Sequence, residues 1–548
     1  MFKPALPPYE ISEWKAKPFA DRVRMVCQAW AVQGYGTPVF VYSFYLLKIV
    51  FYVWMWCFFC SFSPGIGHLG TISSWWLEPV AFQKALLWSM LFEGLGLGCG
   101  SGPLTGRYFP PFGGFLYFLR PGTTKVSFWP KLPFFGRSQR TLADVVLYLL
   151  HCGFLVYALI SPTITIYHVL PTLILLPLMG LSDKAIFLSA RSEHYLTALI
   201  CLMFASEWVS ASKWVWLAVW VWAATSKLNR HFPSVVAVMC SNSPFTLFGP
   251  FRKWMYRSFP DDLRPSKLAV LLAHMGTVVE FCFPFLLVFG QGGTITWVGL
   301  TIMLLFHVFI TSNVPMGVPI EWNVMMVYGA FFLFGAQSGV SMLDVSSPLL
   351  IGSLVTFLLL IPLLGNLFPA HFSFLSSMRY YAGNWPYSVW LFKGDCSKKL
   401  DEHLVKFSPR VSDQLRILYD EDVITAVISK VIAFRAMHLQ GRAIQSLVPK
   451  MVDDIDDFEQ YEYLDGELVA GVVIGWNFGD GHLHHHQLLE AIQEQCQFAE
   501  SELRCLFVES QPMGGKSMSW KIVDAAIGVL EEGEMSVKEM DTLQPWPT

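Results

Sequence analysis

The chain has 548 residues, of which 54% are hydrophobic and 14% charged, and its mean hydropathy is +0.45. A soluble protein carries about 25% charged residues, so this composition argues against a soluble globular enzyme, a disordered chain and a nucleic-acid binder, and leaves a polytopic membrane protein. The net charge of −3 hides a division: residues 1–369 hold 23 Lys/Arg and 14 Asp/Glu (+9), whereas residues 370–548 hold 15 and 27 (−12).

Residues 1–36 begin MFKPALPPYEISEWKAKPFADRVRM. No apolar stretch directly follows the first charges, so the segment does not read as a cleavable signal peptide. Its Pro-rich start and Phe/Trp spacing predict an amphipathic segment lying on the membrane surface.

A spanning helix needs about 20 mostly apolar residues. Ten candidate spans follow: 37–62, 80–99, 143–161, 163–182, 186–207, 210–226, 268–289, 294–312, 322–338 and 347–368. His168, Arg191, Glu193 and His194 interrupt the fourth and fifth, which read as re-entrant or broken. Basic residues concentrate in the N-terminal segment and in the 100–142 and 227–267 loops. With ten spans, the positive-inside rule places these loops, both termini and the acidic tail on the cytoplasmic side. Cys57 and Cys60 form a C-x-x-C, but inside a span, where a free Cys serves as a small hydrophobe.

Ionisable groups inside a bilayer cost roughly 2.5–3.5 kcal/mol on insertion scales, so each is a functional candidate. Those that stand out are Glu93, the Arg191–Glu193–His194 cluster, Lys227 with His231, His274, Glu280, His307 and Glu321. Each also has a structural reading. Lys227 ends its span and can snorkel. His274 and His307 can bond neighbouring helices. Glu93 can pair with an arginine, and Glu321 can sit at a helix start, where a carboxylate favours the dipole. His274 and Glu280 are six residues apart, about 120° from one another around a helix, so they need not touch.

The stretch running from TSKLNRHFP through LLAHMGTVVEFCFPF to FHVFITSNVPMGVPIEWN, within residues 205–340, resembles the core of the horizontally transferred transmembrane domain superfamily, which includes vitamin K-dependent γ-carboxylase and the lipase maturation factors. The resemblance implies a catalytic base at Lys227, with His274, Glu280 and Phe306-His307 at the other matching positions. The chain lacks that carboxylase's large extracytoplasmic C-terminal portion. Over nearly its whole length, through GPLTGRYFPPFGG, FLRPGT, SKLNRHFPSVVAVMCSNSP, VPIEWN and VIGWNFGDGHLH, it is similar to an uncharacterised bacterial family of multi-pass proteins. That similarity implies a bacterial inner membrane and brings no activity.

In the tail, residues 413–450 carry helical periodicity. LVAGVVIGWNFGDG reads as a strand ending in a turn, a helix follows over 483–496, and LRCLFVES and SWKIVDAAIGVLEEGEM read as further strands. His482 and His486, one helical turn apart, could share a metal with Asp480, although the larger reading is a solvated helix start with incidental histidines. Gly514-Gly515-Lys516-Ser517 lacks the spacing of a phosphate loop.

The sequence thus predicts an all-α polytopic membrane helix bundle of about ten spans over 37–369 and a C-terminal cytoplasmic α+β domain over 370–548. One functional expectation is a membrane-embedded enzyme acting on a lipid or isoprenoid-type substrate through Lys227, His274, Glu280, His307 and Glu321. A second is a scaffold whose acidic domain docks a basic protein partner, and a third is a lipid-handling transporter. The lipid bilayer is the expected surrounding, with no nucleic-acid partner, and the sequence names neither cofactor nor metal.

Overall fold

The computed structural model describes residues 2–98, 115–133, 135–189, 191–314, 320–453, 455–475 and 482–547. All of GPLTGRYFPPFGG, the start of VPIEWN, and Asp480 lie outside the described residues.

Among the described residues, five helices are long and apolar enough to cross a membrane: Val39–Cys60, Leu142–Ile160, Lys267–Phe289, Thr294–Thr311 and Pro348–Leu367. The ten candidate spans therefore become five long helices and a set that falls short of that standard, each for a local reason. Pro79–Gly94 is only 16 residues long. Candidate 186–207 divides into Lys184–Ser189 and Ser192–Leu202, with Arg191 between them in the left-handed region at φ 53°. Trp208–Ser226 carries the buried Lys213, whose ammonium donates to the carbonyls of Gln337 (2.8 Å) and Val340 (2.6 Å). Those carbonyls lie just past Ile320–Ala330 and its π-helical continuation Phe331–Ala336, so Lys213 supplies the cation that a helix C-terminus favours.

Helix Phe19–Gln33 buries Phe19, Val23, Val26 and Trp30. Phe19 packs on Phe458 (centroids 4.1 Å apart), Trp30 packs on Phe434 (5.6 Å), and the Trp30 indole donates to the Val238 carbonyl at 3.2 Å. The apolar face that the sequence assigns to a membrane surface is covered by protein instead. Ion pairs from Lys15 to Asp422 and from Arg22 to Glu459 reinforce the contact.

A two-stranded ribbon, β1 (Tyr256–Ser258) and β2 (Asp262–Pro265), precedes helix Lys267–Phe289. The C-terminal region contains an antiparallel five-stranded sheet of β3 (Tyr387–Lys393), β4 (Tyr461–Asp465), β5 (Leu503–Val508), β6 (Ser517–Asp524) and β7 (Gly528–Ser536), in the order β4-β3-β5-β6-β7. Both faces of β3 are covered. Val389 and Leu391 join the core that contains Trp30, and Trp390 and Phe392 join the core that reaches into the membrane helices.

Three readings of the tail are corrected. Residues 466–473 form a helix, not a strand, because the Asp465 carboxylate accepts from the Leu468 N–H and caps Gly466–Val473. The helical stretch 413–450 is divided into Val411–Leu415, Glu421–Ala436 and Leu439–Leu447. Helix His486–Cys496 begins at His486, so His482 and His486 do not share a helical turn.

Trp30→Ala is expected to cost about 3–5 kcal/mol, the range for deleting a buried Trp, read as a lowered melting temperature of the detergent-solubilised full chain. Unchanged melting would place this helix away from the C-terminal core.

Candidate functional site

Several of the described intramembrane polar groups gather around the first turn of helix Ile320–Ala330, where Glu321, Trp322 and Asn323 stand in succession. The glycine at 329 seats this helix. A Cβ there would run into the Trp216 indole, which donates to the Met326 carbonyl at 3.2 Å.

Glu321 meets Arg191 and Glu93. The Arg191 guanidinium donates to Glu93 Oε1 at 2.5 Å and to Glu321 Oε1 at 3.2 Å, and all three side chains have no solvent exposure. Tyr195 Oη donates to Glu321 Oε1 at 3.4 Å, and Arg191 Nε donates to Tyr381 Oη at 3.4 Å. Glu93 comes from the last turn of Pro79–Gly94 and Arg191 from the break between two helices, so three separate elements supply one cluster. With both carboxylates ionised, the triad carries a formal excess of one negative charge. A non-glycine residue at positive φ is the kind of backbone strain that persists where surrounding contacts over-determine it.

Trp322 faces the same cluster. Its ring lies 5.9 Å from the Arg191 guanidinium and 4.9 Å from the His194 ring. Neither nitrogen of His194 has a hydrogen-bond partner among the described residues. His194, Glu193, Thr197 and Ser376 line a small cavity of about 50 Å³, otherwise walled by apolar residues such as Val219, Trp222 and Leu358.

Asn323 turns to His307. The His307 Nδ1 and Asn323 Oδ1 are 2.7 Å apart, and the Trp220 indole donates to His307 Nε2 at 3.3 Å. This pairing assigns the proton of the neutral ring to Nδ1. Lys227 and Glu280 form a buried ion pair beside it, with the Lys227 ammonium 5.2 Å from the Phe232 ring and 5.5 Å from the Phe306 ring.

The five residues singled out from the sequence are therefore distributed unequally. Lys227, Glu280 and His307 come together, and Glu321 belongs to the adjoining Arg191 triad. His274 is excluded: it lies on the exposed face of Lys267–Phe289 with Leu271, Met275 and Val278, whereas Glu280 is on the buried face. The 120° offset between the two positions is realised as opposite environments. His231 leaves the membrane network for the C-terminal region, its ring between Gln440 Oε1 (3.2 Å) and Gln511 Oε1 (2.8 Å). Sequence reasoning missed Tyr195, Asn323 and Tyr381 because uncharged polar residues are common in apolar helices and carry no signal alone.

The proposed metal set is not assembled from the described residues, among which no group of three or more His, Cys, Asp or Glu is placed to hold a metal. His482 Nε2 pairs with Glu509 at 2.7 Å instead, and Ser388 takes the His484 ring at 2.8 Å.

The whole chain, residues 1–548, matches the model of a family described as transmembrane protein of unknown function (DUF3556), and the chain belongs to that family. No curated protein and no solved structure matches it.

Glu280→Ala strands the Lys227 ammonium and is expected to destabilise the solubilised protein by about 3–5 kcal/mol, as removal of one partner of a buried pair does. His274→Ala is expected to stay within about 0.5 kcal/mol of wild type, like other substitutions away from buried features. Thermal unfolding of both variants checks the assignment, and equal losses would contradict it.

Proposed function

We propose that this transmembrane protein is an enzyme acting on a lipid or isoprenoid-type molecule at the network around Glu321, Trp322 and Asn323. One observation carries the reading: a guanidinium and two carboxylates converge without exposure at a break in an apolar helix. Ionisable groups are retained at membrane depth chiefly where chemistry or passage uses them, and irregular backbone is tolerated there only when packed in protein or lining a cavity.

In this reading Arg191 holds the polar end of the substrate, and Glu321, positioned by Tyr195, exchanges a proton with it. Lys227 and Glu280 supply a second acid–base pair, with His307 held in one tautomer alongside. The resemblance of residues 205–340 to the horizontally transferred transmembrane domains supports a base at Lys227. The basic segments 1–36, 100–142 and 227–267 support cytoplasmic termini.

A lipid carrier is the second reading, favoured by the broken helix at Arg191, since many transporters bind substrate at discontinuous helices. A scaffold with a docking acidic domain is favoured less. Asp422, Glu459 and Asp541 of that domain already pair with Lys15, Arg22 and Arg230 of the same chain.

The test is lipid mass spectrometry on cells deleted for the gene and complemented with wild type, Glu321→Gln or Lys227→Met, all confirmed in the membrane. Loss of a general acid or base lowers turnover by about 10²–10⁴-fold, so each variant is expected to accumulate the same precursor as the deletion. Unchanged lipid species with an altered distribution between leaflets would favour the carrier. Full rescue by both variants would overturn both lipid readings.

A further inference from the structure

A second site lies where the last membrane helix hands over to the C-terminal region. Helix Ile361–Leu367 ends, and residues 370–374 immediately form one wall of a cleft of about 700 Å³. Phe128, Trp129 and Lys184 form a second wall, and His485, His486, Phe507, Ser519 and Lys521 close it from the sheet side.

The lining brings Lys184 from the +9 portion of the chain together with Lys521 from the −12 portion. Lys184, Lys521 and four histidines (His371, His482, His485 and His486) line the cleft with one carboxylate, Glu509, which is already paired with His482; Lys521 reaches Glu532 outside the cleft at 2.7 Å, and burial holds His485 and His486 toward the neutral imidazole. Lys184 is the informative member. It is 6% exposed, and its ammonium has no hydrogen-bond or ion-pair partner among the described residues. Burial pushes it down to about 7. Its neighbour Asp183 is committed to Arg140. A buried, unpaired cation facing an open cleft is a costly arrangement that an anion would relieve. His485 Nε2 likewise has no partner.

The remaining walls are aromatic and partly open. Trp129 is 60% exposed and Phe372 38% exposed, and Phe128 stacks on Phe374 at 5.9 Å. Phe374 also lines the small cavity beside His194. Cationic groups and exposed rings line the same cleft, directly after a membrane helix, and match the two ends of an amphiphile.

We propose that this cleft binds a phosphate-bearing amphiphile, its phosphate at Lys184, His486 and Lys521 and its apolar chain over Trp129 and Phe372. The site does not depend on the chemistry proposed at Glu321, because ligand binding is measured directly.

The experiment uses the detergent-solubilised full chain and three probes: dihexanoyl phosphatidic acid, inorganic phosphate and dihexanoyl glycerol. Binding is read by calorimetry and by the ligand-induced shift in melting temperature. Phosphatidic acid is expected to bind, and Lys184→Met to weaken it by about tenfold or more, the size of a lost charge-assisted contact. The same variant is expected to melt higher than wild type without ligand, because it removes an unpaired buried charge. Trp129→Ala, at an exposed position that does not threaten folding, is expected to weaken phosphatidic acid and leave phosphate unchanged. Lys538→Met, at an exposed lysine outside the cleft, is the control and is expected to change neither. If phosphate binds as tightly as phosphatidic acid, the ligand is a soluble phosphate compound and the amphiphile is overturned. If the neutral diacylglycerol binds equally well, or if Lys184→Met and Trp129→Ala both bind phosphatidic acid like wild type, the site itself is overturned.

Discussion

A guanidinium buried without exposure must find its counter-charges in protein, and Arg191 finds two. The unpaired cost is several kcal/mol, and the attraction repays it only with close geometry and further hydrogen bonds. Glu93, Glu321 and Tyr381 supply these from elements that are remote in sequence, and Tyr195, in the helix that follows Arg191, bonds Glu321. This requirement draws together the end of Pro79–Gly94, the break before Ser192–Leu202 and the start of Ile320–Ala330. Once Glu321 is placed, helical geometry sends Trp322 and Asn323 in different directions, one to Arg191 and His194 and the other to His307. His307 then places Thr294–Thr311, and the Lys227–Glu280 pair joins the end of Trp208–Ser226 to Lys267–Phe289. Arg191 with its two carboxylates and His307 with Asn323 are thus linked through one helix start, and the Lys227–Glu280 pair lies beside them.

The C-terminal sheet solves a different problem. β3 and β5 are buried along nearly their whole length, so both faces need cover. One face is met by Phe19–Gln33 and Glu421–Ala436, and the other by His486–Cys496 and residues of the membrane part. Three acidic residues on the outside, Asp422, Glu459 and Asp541, meet the chain's own basic segments. The charge division along the sequence is therefore partly an internal complementarity, in which the −12 portion folds against Lys15, Arg22 and Arg230. The cleft at Lys184 lies along this junction and carries the opposite sign from the domain that forms half of it.

Much of the candidate site was legible as a list of residues. Glu93, Arg191, Lys227, Glu280, His307 and Glu321 stand out because a charge in an apolar run is rare. Their partners were not legible. Arg191 and Glu321 are 130 residues apart, and Lys227 and Glu280 are 53 apart, so no local periodicity relates them. β3 was missed because YSVWLF is covered on both sides and shows no apolar–polar alternation. Residues 466–473 looked like a strand because a short apolar run reads as either element, and the Asp465 cap decided for helix.

By itself the sequence determined that this is a membrane protein, that its charge is divided between a basic and an acidic portion, and which ionisable groups lie among its apolar segments. Composition suffices for these because the cost of placing a residue type in hydrocarbon or water belongs mostly to that residue. Only the tertiary structure decided that Arg191 serves two carboxylates, that His274 faces outward while Glu280 faces inward, and that the N-terminal helix is covered by protein. Those outcomes depend on which distant surfaces pack together, and packing is settled by the whole chain burying its apolar area while leaving no buried charge unmatched where a partner can reach it.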